Sequence, residues 1–174
     1  MAKLRSATCY RKSKKPYTRV SKYREKSYVK GVPGSKIKMF DMGDLSGKFS
    51  HKLLLKSKEG KVQIRHNALE AARMAANKYL EVNIGRAGYL FKVLIYPHQV
   101  MRFNPQANFA GADRFTTGMA HTYGKTLGRA AQVKAGQNLM YVMLNEKNLK
   151  KAKEALRRAG NKLPVEWELE LVKL

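Results

Sequence analysis

The sequence predicts an α+β sandwich in which two helices pack on a mixed, mainly antiparallel sheet, with a basic N-terminal arm before it and a long internal loop within it. Three observations predict this class. Residues 67–80 and 146–159 carry helical periodicity, the nearly unbroken apolar runs 89–96 and 139–144 have the length of buried strands, and 165–171 alternates apolar with acidic side chains. A chain of 174 residues suits one domain, placed at 33–174, with residues 1–32 as the arm.

The arm shows no sustained period and is interrupted by Pro16. Met1 to Lys30 hold 11 Lys or Arg against one acid, Glu25, so the segment reads as extended and ordered by a partner. Tyr10, Tyr17, Tyr23 and Tyr28 recur among these charges. Two roles stay open for them: stacking on exposed bases, or anchoring the arm on the protein's own core.

Gly31-Val32-Pro33-Gly34 is a turn signal, and Lys36 to Phe40 then alternates like a half-buried strand closed by Asp41-Met42-Gly43. Leu53 to Leu55 and Val62 to Ile64, separated by Lys58-Glu59-Gly60, read either as a hairpin or as two strand ends. Asn67 is an N-cap residue with Glu70 three positions on, and Ala68, Leu69, Ala71, Ala72, Met74, Ala75 and Ala76 favour helix to about Leu80. Tyr89 to Tyr96 reads as a central strand stopped by Pro97, and Val100 to Phe103 as a second strand. From Asn104 to about Lys134 no period is visible; this predicts a long internal loop, at about 102–128, and a connection of that length is ordinarily functional or mobile. Leu139 to Leu144 restores a buried strand. Asn145 then caps a helix whose stripe is Leu149, Ala152, Leu156 and Ala159, whose other face carries Lys150, Lys153, Arg157 and Arg158, and whose stop is Gly160. Val165, Trp167, Leu169 and Leu171 alternate with Glu166, Glu168 and Glu170 in a last strand.

Charge narrows the function. With 36 Lys plus Arg against 12 Asp plus Glu the formal charge is +24, and the chain is relieved of self-repulsion by a polyanion whose counterions it releases. Nucleic acid is the expected partner. An anionic membrane surface is the rival, but it calls for a basic helix with a large apolar face, which the densest basic segment lacks. No apolar run reaches spanning length and the N-terminus has no signal-like apolar stretch, so a soluble intracellular protein is expected. Cys9, alone, rules out an intrachain disulfide and a multi-cysteine zinc site.

Chemistry-bearing motifs fail on inspection. Gly118 to Thr126 looks like a phosphate-binding P-loop, but five residues separate Gly118 from Gly124, no strand leads into it, and Leu127-Gly128 stands where a helix should open. Its glycines, with Lys125 and Arg129, still allow close approach to a nucleic-acid backbone. His51, His66, His98 and His121 lack metal-ligand spacing, and no cofactor or metal is expected. Asp113 is the single acid of the loop, and beside Arg114 it reads as part of a local ion pair or loop-folding hydrogen bond. The scattered carboxylates argue against metal-dependent cleavage and against an enzyme. Zinc-finger, basic-heptad and RRM-type signatures are missing, so recognition should rest on backbone, shape and local stacking.

Several strings, in order, carry a resemblance. They are Arg11 to Tyr17, Gly31-Val32-Pro33 followed by Lys36-Ile37 and Phe40-Asp41-Met42-Gly43, Leu69 to Arg73 with Ala76-Asn77-Lys78-Tyr79, Ala110 to Arg114 with Thr117-Gly118-Met119 and Gly124-Lys125, and Ala155 to Ala159. Together they resemble the universal large-subunit ribosomal protein family numbered sixteen in bacteria and ten-e in archaea and eukaryotes, over nearly the whole chain and in an archaeal style of length. Phe103 to Phe109 departs from the eukaryotic loop pattern. The resemblance implies a single-copy cytoplasmic component of the large subunit, joining late in maturation. It would bind rRNA between the central protuberance and the stalk base, beside the aminoacyl-tRNA path and neighbouring ribosomal proteins, and would have no catalytic residue. The rRNA-binding residues expected are Arg5, Arg11, Lys12, Lys14, Lys15, Tyr17, Arg19, Lys22 and Arg24 of the arm, with Lys36, Arg73, Lys153, Arg157 and Arg158. The loop would reach toward the peptidyl-transferase centre and tRNA with Arg102, Asp113, Arg114, Gly118, Met119, Gly124, Lys125 and Arg129. The rival functions are a free RNA-binding chaperone, an RNA-processing enzyme resting on His121 or Asp113, and a membrane-surface protein.

Overall fold

The computed structural model describes residues 6–12, 23, 25, 29, 31–105, 110–114, 116, 118, 119 and 123–174. Along them run α1 (Thr8–Arg11), β1 (Asp41–Gly43), β2 (His51–Ser57), β3 (Val62–Arg65), α2 (His66–Ile84), β4 (Tyr89–Val93), β5 (Gln99–Phe103), β6 (Lys125–Val133), β7 (Asn138–Leu144), α3 (Leu149–Gly160) and β8 (Trp167–Lys173). The fold is the α+β class the sequence predicts. Its strands divide between a five-stranded sheet, β1-β4-β7-β2-β8, and a three-stranded sheet, β3-β6-β5. Every pairing among the described residues is antiparallel.

One face of the larger sheet makes the core. The registers Phe91↔Val142 and Val142↔Leu53, then Val93↔Met140 and Met140↔Leu55, set these buried side chains in rows beneath the two long helices. On α2, Leu69, Ala72, Ala76 and Leu80 recur every three or four residues with no exposure, and Ala152, Ala155, Leu156 and Ala159 do the same on α3. All belong to one cluster, and the small alanines let the helices approach the sheet and each other closely. Each fully buried Leu or Phe contributes about 1.5–3 kcal/mol.

Several local expectations are corrected. Lys36 to Phe40 is not a strand: only Asp41–Gly43 pairs with β4, because β4 ends at Val93 and leaves the earlier residues without a ladder partner. The Phe40 carbonyl still accepts from Val93 N–H at 2.8 Å, and Ile37 is buried. The segments around Leu54 and Ile64 are not a hairpin. They separate into different sheets, through a turn in which Lys61 takes a positive φ of 59°. Helix α2 starts at His66, with Arg65 at the N-cap and no side-chain cap, so Asn67 lies inside the first turn. Glu70 accepts from Arg73 Nη2 at 2.6 Å instead of closing a capping box. The helix continues to Ile84, where Gly85 at φ 85° ends it.

Helix α3 opens through a 3-10 turn at Glu146–Asn148, and Asn145 makes no side-chain cap. Gly160 is its last residue; Asn161, in right-handed geometry, is the C-cap. The segment read without a period contains β6, nine residues long. Its small Gly128, Ala130 and Ala131 are buried without the bulky apolar signature of a strand.

Candidate nucleic-acid interface

Charge is distributed unequally between the sheets. The three-stranded sheet carries Arg65, Arg102, Lys125 and Arg129 and no acid, whereas the five-stranded sheet sets Asp41, Glu168 and Glu170 against Lys52, Lys56, Lys92 and Lys173. On the larger sheet Lys92 pairs with Asp41 at 2.9 Å and Lys56 pairs with Glu170. From Glu81 to Glu146 the chain holds one intervening acid, Asp113. A field of one sign over one side of a molecule is what a polyanion requires.

Helix α1 packs on this basic sheet. Tyr10 is buried against Met101 and Ala130, and its Oη donates to the Arg102 carbonyl at 3.2 Å. Lys12 is exposed and forms a β-bridge to Val62. Arg11 Nη2 donates to both carboxylate oxygens of Glu59, at 3.0 and 3.1 Å. The start of the arm is therefore ordered on the protein's own surface, and Tyr10 takes the anchoring role; Tyr23 is 63% exposed. Arg5, Lys14, Lys15, Tyr17, Arg19, Lys22, Arg24 and Tyr28 lie outside the described residues.

The internal loop leaves from a two-stranded stem. Arg102 opposes Thr126 and Phe103 opposes Lys125, so the strands take both ends of the segment 102–128 and leave 104–124 as the loop. Gly124, at φ 75°, permits the return: a Cβ there would lie 2.6 Å from the Phe103 carbonyl carbon. Arg102 sits over the Tyr123 ring, 5.9 Å from its centroid. Farther out, Ala112–Arg114 is a 3-10 turn, closed by Thr116 Oγ1 donating to the Ala112 carbonyl at 2.9 Å. Asp113 and Arg114 are exposed, and no ion pair or hydrogen bond joins their side chains among the described residues; the turn is held by backbone and threonine instead. Gly118, at φ 58°, precedes Met119, which is 87% exposed. Gly124-Lys125-Thr126 leads into a strand, not the helix a P-loop needs.

Arg129 belongs to the sheet and not to the loop. Its Nε donates to the Pro33 carbonyl at 2.6 Å and its Nη1 to Tyr96 Oη at 3.0 Å, pinning two segments together. Beside it, His66 is 7% exposed and its Nδ1 accepts from the Lys36 N–H at 3.3 Å. Burial first, then the charges of Lys36, Arg129 and Arg65, lowers the His66 pKa. The sequence reading gave Arg65 and His66 no role, since their only signal was a cation and an imidazole at a strand-to-helix junction. Lys36 is exposed.

Arg73 is turned onto its own helix, with Nε and Nη2 on Glu70, Nη1 3.3 Å from Met42 Sδ, and a side chain 12% exposed. On α3, Glu154 accepts from Arg157 Nε at 2.8 Å and Arg158 Nε at 2.9 Å, which draws its pKa to about 2. Arg158 also lies over the Tyr79 ring at 4.2 Å. Both arginines stay about half exposed and Lys153 is exposed, so this face presents oriented cations.

His51 is buried with Nδ1 2.8 Å from Ser50 Oγ, His98 lies against Tyr96, and His121 is outside the described residues. Among the described residues no group of three or more His, Cys, Asp or Glu could hold a metal ion, and no helix is long and apolar enough to cross a membrane.

The model of the family described as ribosomal protein L16p/L10e matches residues 12–170. The chain belongs to that family. The large ribosomal subunit protein uL16 of Methanocella arvoryzae is 48% identical over 147 residues, 84% of this chain and 85% of its own. Those of Archaeoglobus fulgidus and Staphylothermus marinus are each 46% identical, covering 91% and 93% of this chain and 87% and 90% of their own. The relatives are ribosomal structural proteins, not enzymes. The L16p/L10e match begins at the residue bridged to β3 and continues into β8, so it takes in both sheets, both long helices and the loop.

Proposed function

We infer that this chain binds large-subunit rRNA through its acid-free sheet and carries the loop 104–124 toward the peptidyl-transferase centre and tRNA. Family membership makes it a structural component of the large subunit of the cytoplasmic ribosome. One observation carries the finer reading: the strands of the three-stranded sheet, the Lys12 bridged to one of them and the root of the loop carry cations and no acid, while the strands of the other sheet hold Asp41, Glu168 and Glu170. Lys12, Lys36, Lys125 and the oriented arginines of α3 neutralise rRNA phosphates, with the remaining cations of residues 1–32 extending the footprint. At the loop, Arg114 on its short turn is the cation offered to tRNA or to the rRNA around it. Neighbouring ribosomal proteins complete the contacts of a single copy.

Sedimentation of cell extract at low magnesium after a moderate salt wash, followed by RNA crosslink mapping, tests this. Stoichiometric recovery in the large-subunit peak is expected, with loop crosslinks near the peptidyl-transferase centre. Recovery only in free fractions with dispersed crosslinks would replace the reading with a free RNA-binding chaperone.

A further inference from the structure

The chain places an open aromatic ladder next to Arg129. Phe40 and Tyr96 have ring centroids 5.6 Å apart at an interplanar angle of 31°, and Tyr96 and His98 follow at 4.6 Å and 53°. Its inner end, Phe40, is half-buried, whereas the middle ring, Tyr96, is 40% exposed and the outer one, His98, is exposed. Its geometry is set by the backbone. Pro97 between them is buried, and the His98 N–H donates to the Tyr96 carbonyl at 3.0 Å, a tight turn that holds the two rings together before any ligand arrives.

The chemistry around the ladder is cationic. Arg129 Nη1 reaches Tyr96 Oη, and the charges of Lys36, Arg129 and Arg65 all act on His66, whose Nδ1 accepts from the Lys36 N–H. A rigid aromatic surface beside arginine also suits a protein contact. Here the segment from Val82 to Ala112 has no acidic residue, and the net charge of +24 favours a ligand that brings phosphates with its ring.

We propose that Tyr96 and His98 are a stacking platform for one unpaired base of rRNA, with Arg129 and Lys36 facing the phosphate of that nucleotide. The proposal rests on the rRNA-binding reading above and adds to it a specific contact with a base. His98, tilted 53° to Tyr96, is the exposed outer ring, so the base lies on its open face. Tyr96 carries the middle ring, and its hydroxyl holds Arg129 in place beside it.

The test uses the full chain bound to large-subunit rRNA, with His98→Ala and Tyr96→Phe as variants. Ultraviolet crosslinking should join Tyr96 or His98 to one nucleotide. Chemical probing should show that base protected by the wild type and reactive with His98→Ala, while the remaining footprint persists and rRNA affinity falls roughly tenfold. Tyr96→Phe keeps the ring and should keep the protection. If His98→Ala leaves every base reactivity and the affinity unchanged, the platform is wrong. If residues 96–98 crosslink to another ribosomal protein instead, they are a protein contact and the proposal fails. A wild-type chain with no affinity for this rRNA would overturn the broader reading, and this one with it.

Discussion

A methyl group on Gly160 would lie 2.3 Å from Cε2 and 2.4 Å from Nε1 of Trp167, so the last turn of α3 rests directly on the indole that opens β8. The glycine reads in sequence as a helix stop, yet the left-handed conformation that makes glycine useful there is not used, and the close approach is what demands it. Alanine should gain about 1 kcal/mol of helix propensity and lose about 1–3 kcal/mol to overpacking. Gly160→Ala is therefore expected to be destabilised and Gly160→Val more so, measured by urea midpoints. A raised midpoint for the alanine variant would mean that the indole swings aside at no cost.

Tyr10 ties α1 to β5 by packing and by its hydroxyl. Tyr10→Phe should cost about 0.5–1.5 kcal/mol, the worth of one hydrogen bond, and leave Arg11 protected from trypsin. Tyr10→Ala removes the ring as well and should expose that site to rapid cleavage. Equal cleavage of both variants would show that the ring does not anchor the segment.

Arg114 and Arg129 should separate function from fold. Arg114 is exposed on the loop, so Arg114→Ala is expected to impair translation or late subunit maturation more than it weakens docking. Loss of the variant from the subunit would reassign Arg114 to docking. Arg129→Ala removes donors from the Pro33 carbonyl and Tyr96 Oη and should lower stability by about 1–3 kcal/mol before any RNA is added. Thermal melts of the two free proteins distinguish them.

His66 gives the fold a pH dependence of definite sign. Its folded pKa lies below the ordinary 6.5, so between the two values the unfolded chain binds more protons. Stability contributed here rises with pH through that window and falls on acidification below 6.5, until the folded value is passed. Denaturant titrations on either side of that window should show a smaller acid-induced loss in His66→Gln than in the wild type. An identical loss in both would assign the slope to other groups.

Lys36 is exposed, and its backbone N–H rather than its side chain donates to His66, so the side chain should act through phosphate charge alone. Lys36→Ala is expected to reduce the slope of log affinity against log salt for large-subunit rRNA by about 1, without changing which bases are protected. An unchanged salt slope would remove Lys36 from the interface.

Strong periodicity was legible. The Leu69 to Leu80 stripe and the apolar run of β7 each bury a face that their spacing announces, β4 buries its face but ends at Val93 short of Tyr96, and β8 alternates with Trp167 and Leu169 only half-buried and Leu171 exposed. Caps were less legible: Asn67 and Asn145 have suitable side chains, but β3 passes straight into α2 and a 3-10 turn precedes α3, so neither caps its helix. The nine residues of β6 were hidden because Gly128 beside Met101 and His66, Ala130 beside Met101 and Ala131 in the main core are buried without adding apolar bulk. At the candidate interface the cations could be counted in sequence. Their availability could not, since only the fold turns Arg73 onto Glu70 and Arg129 onto Pro33 and Tyr96.

By itself the sequence determined the α+β class, the charge that calls for a polyanion, the long loop and the strings that carry the family resemblance, because composition and local period are properties of the chain read residue by residue. Only the tertiary structure decided that the strands split into two sheets, that the acids segregate from the three-stranded one, and that Phe40, Tyr96 and His98 meet beside Arg129. The physical reason is range. Propensity and period act over a few neighbouring residues, whereas Pro33 and Arg129 are 96 positions apart and are brought together only by the partners that their strands and turns find in the folded core.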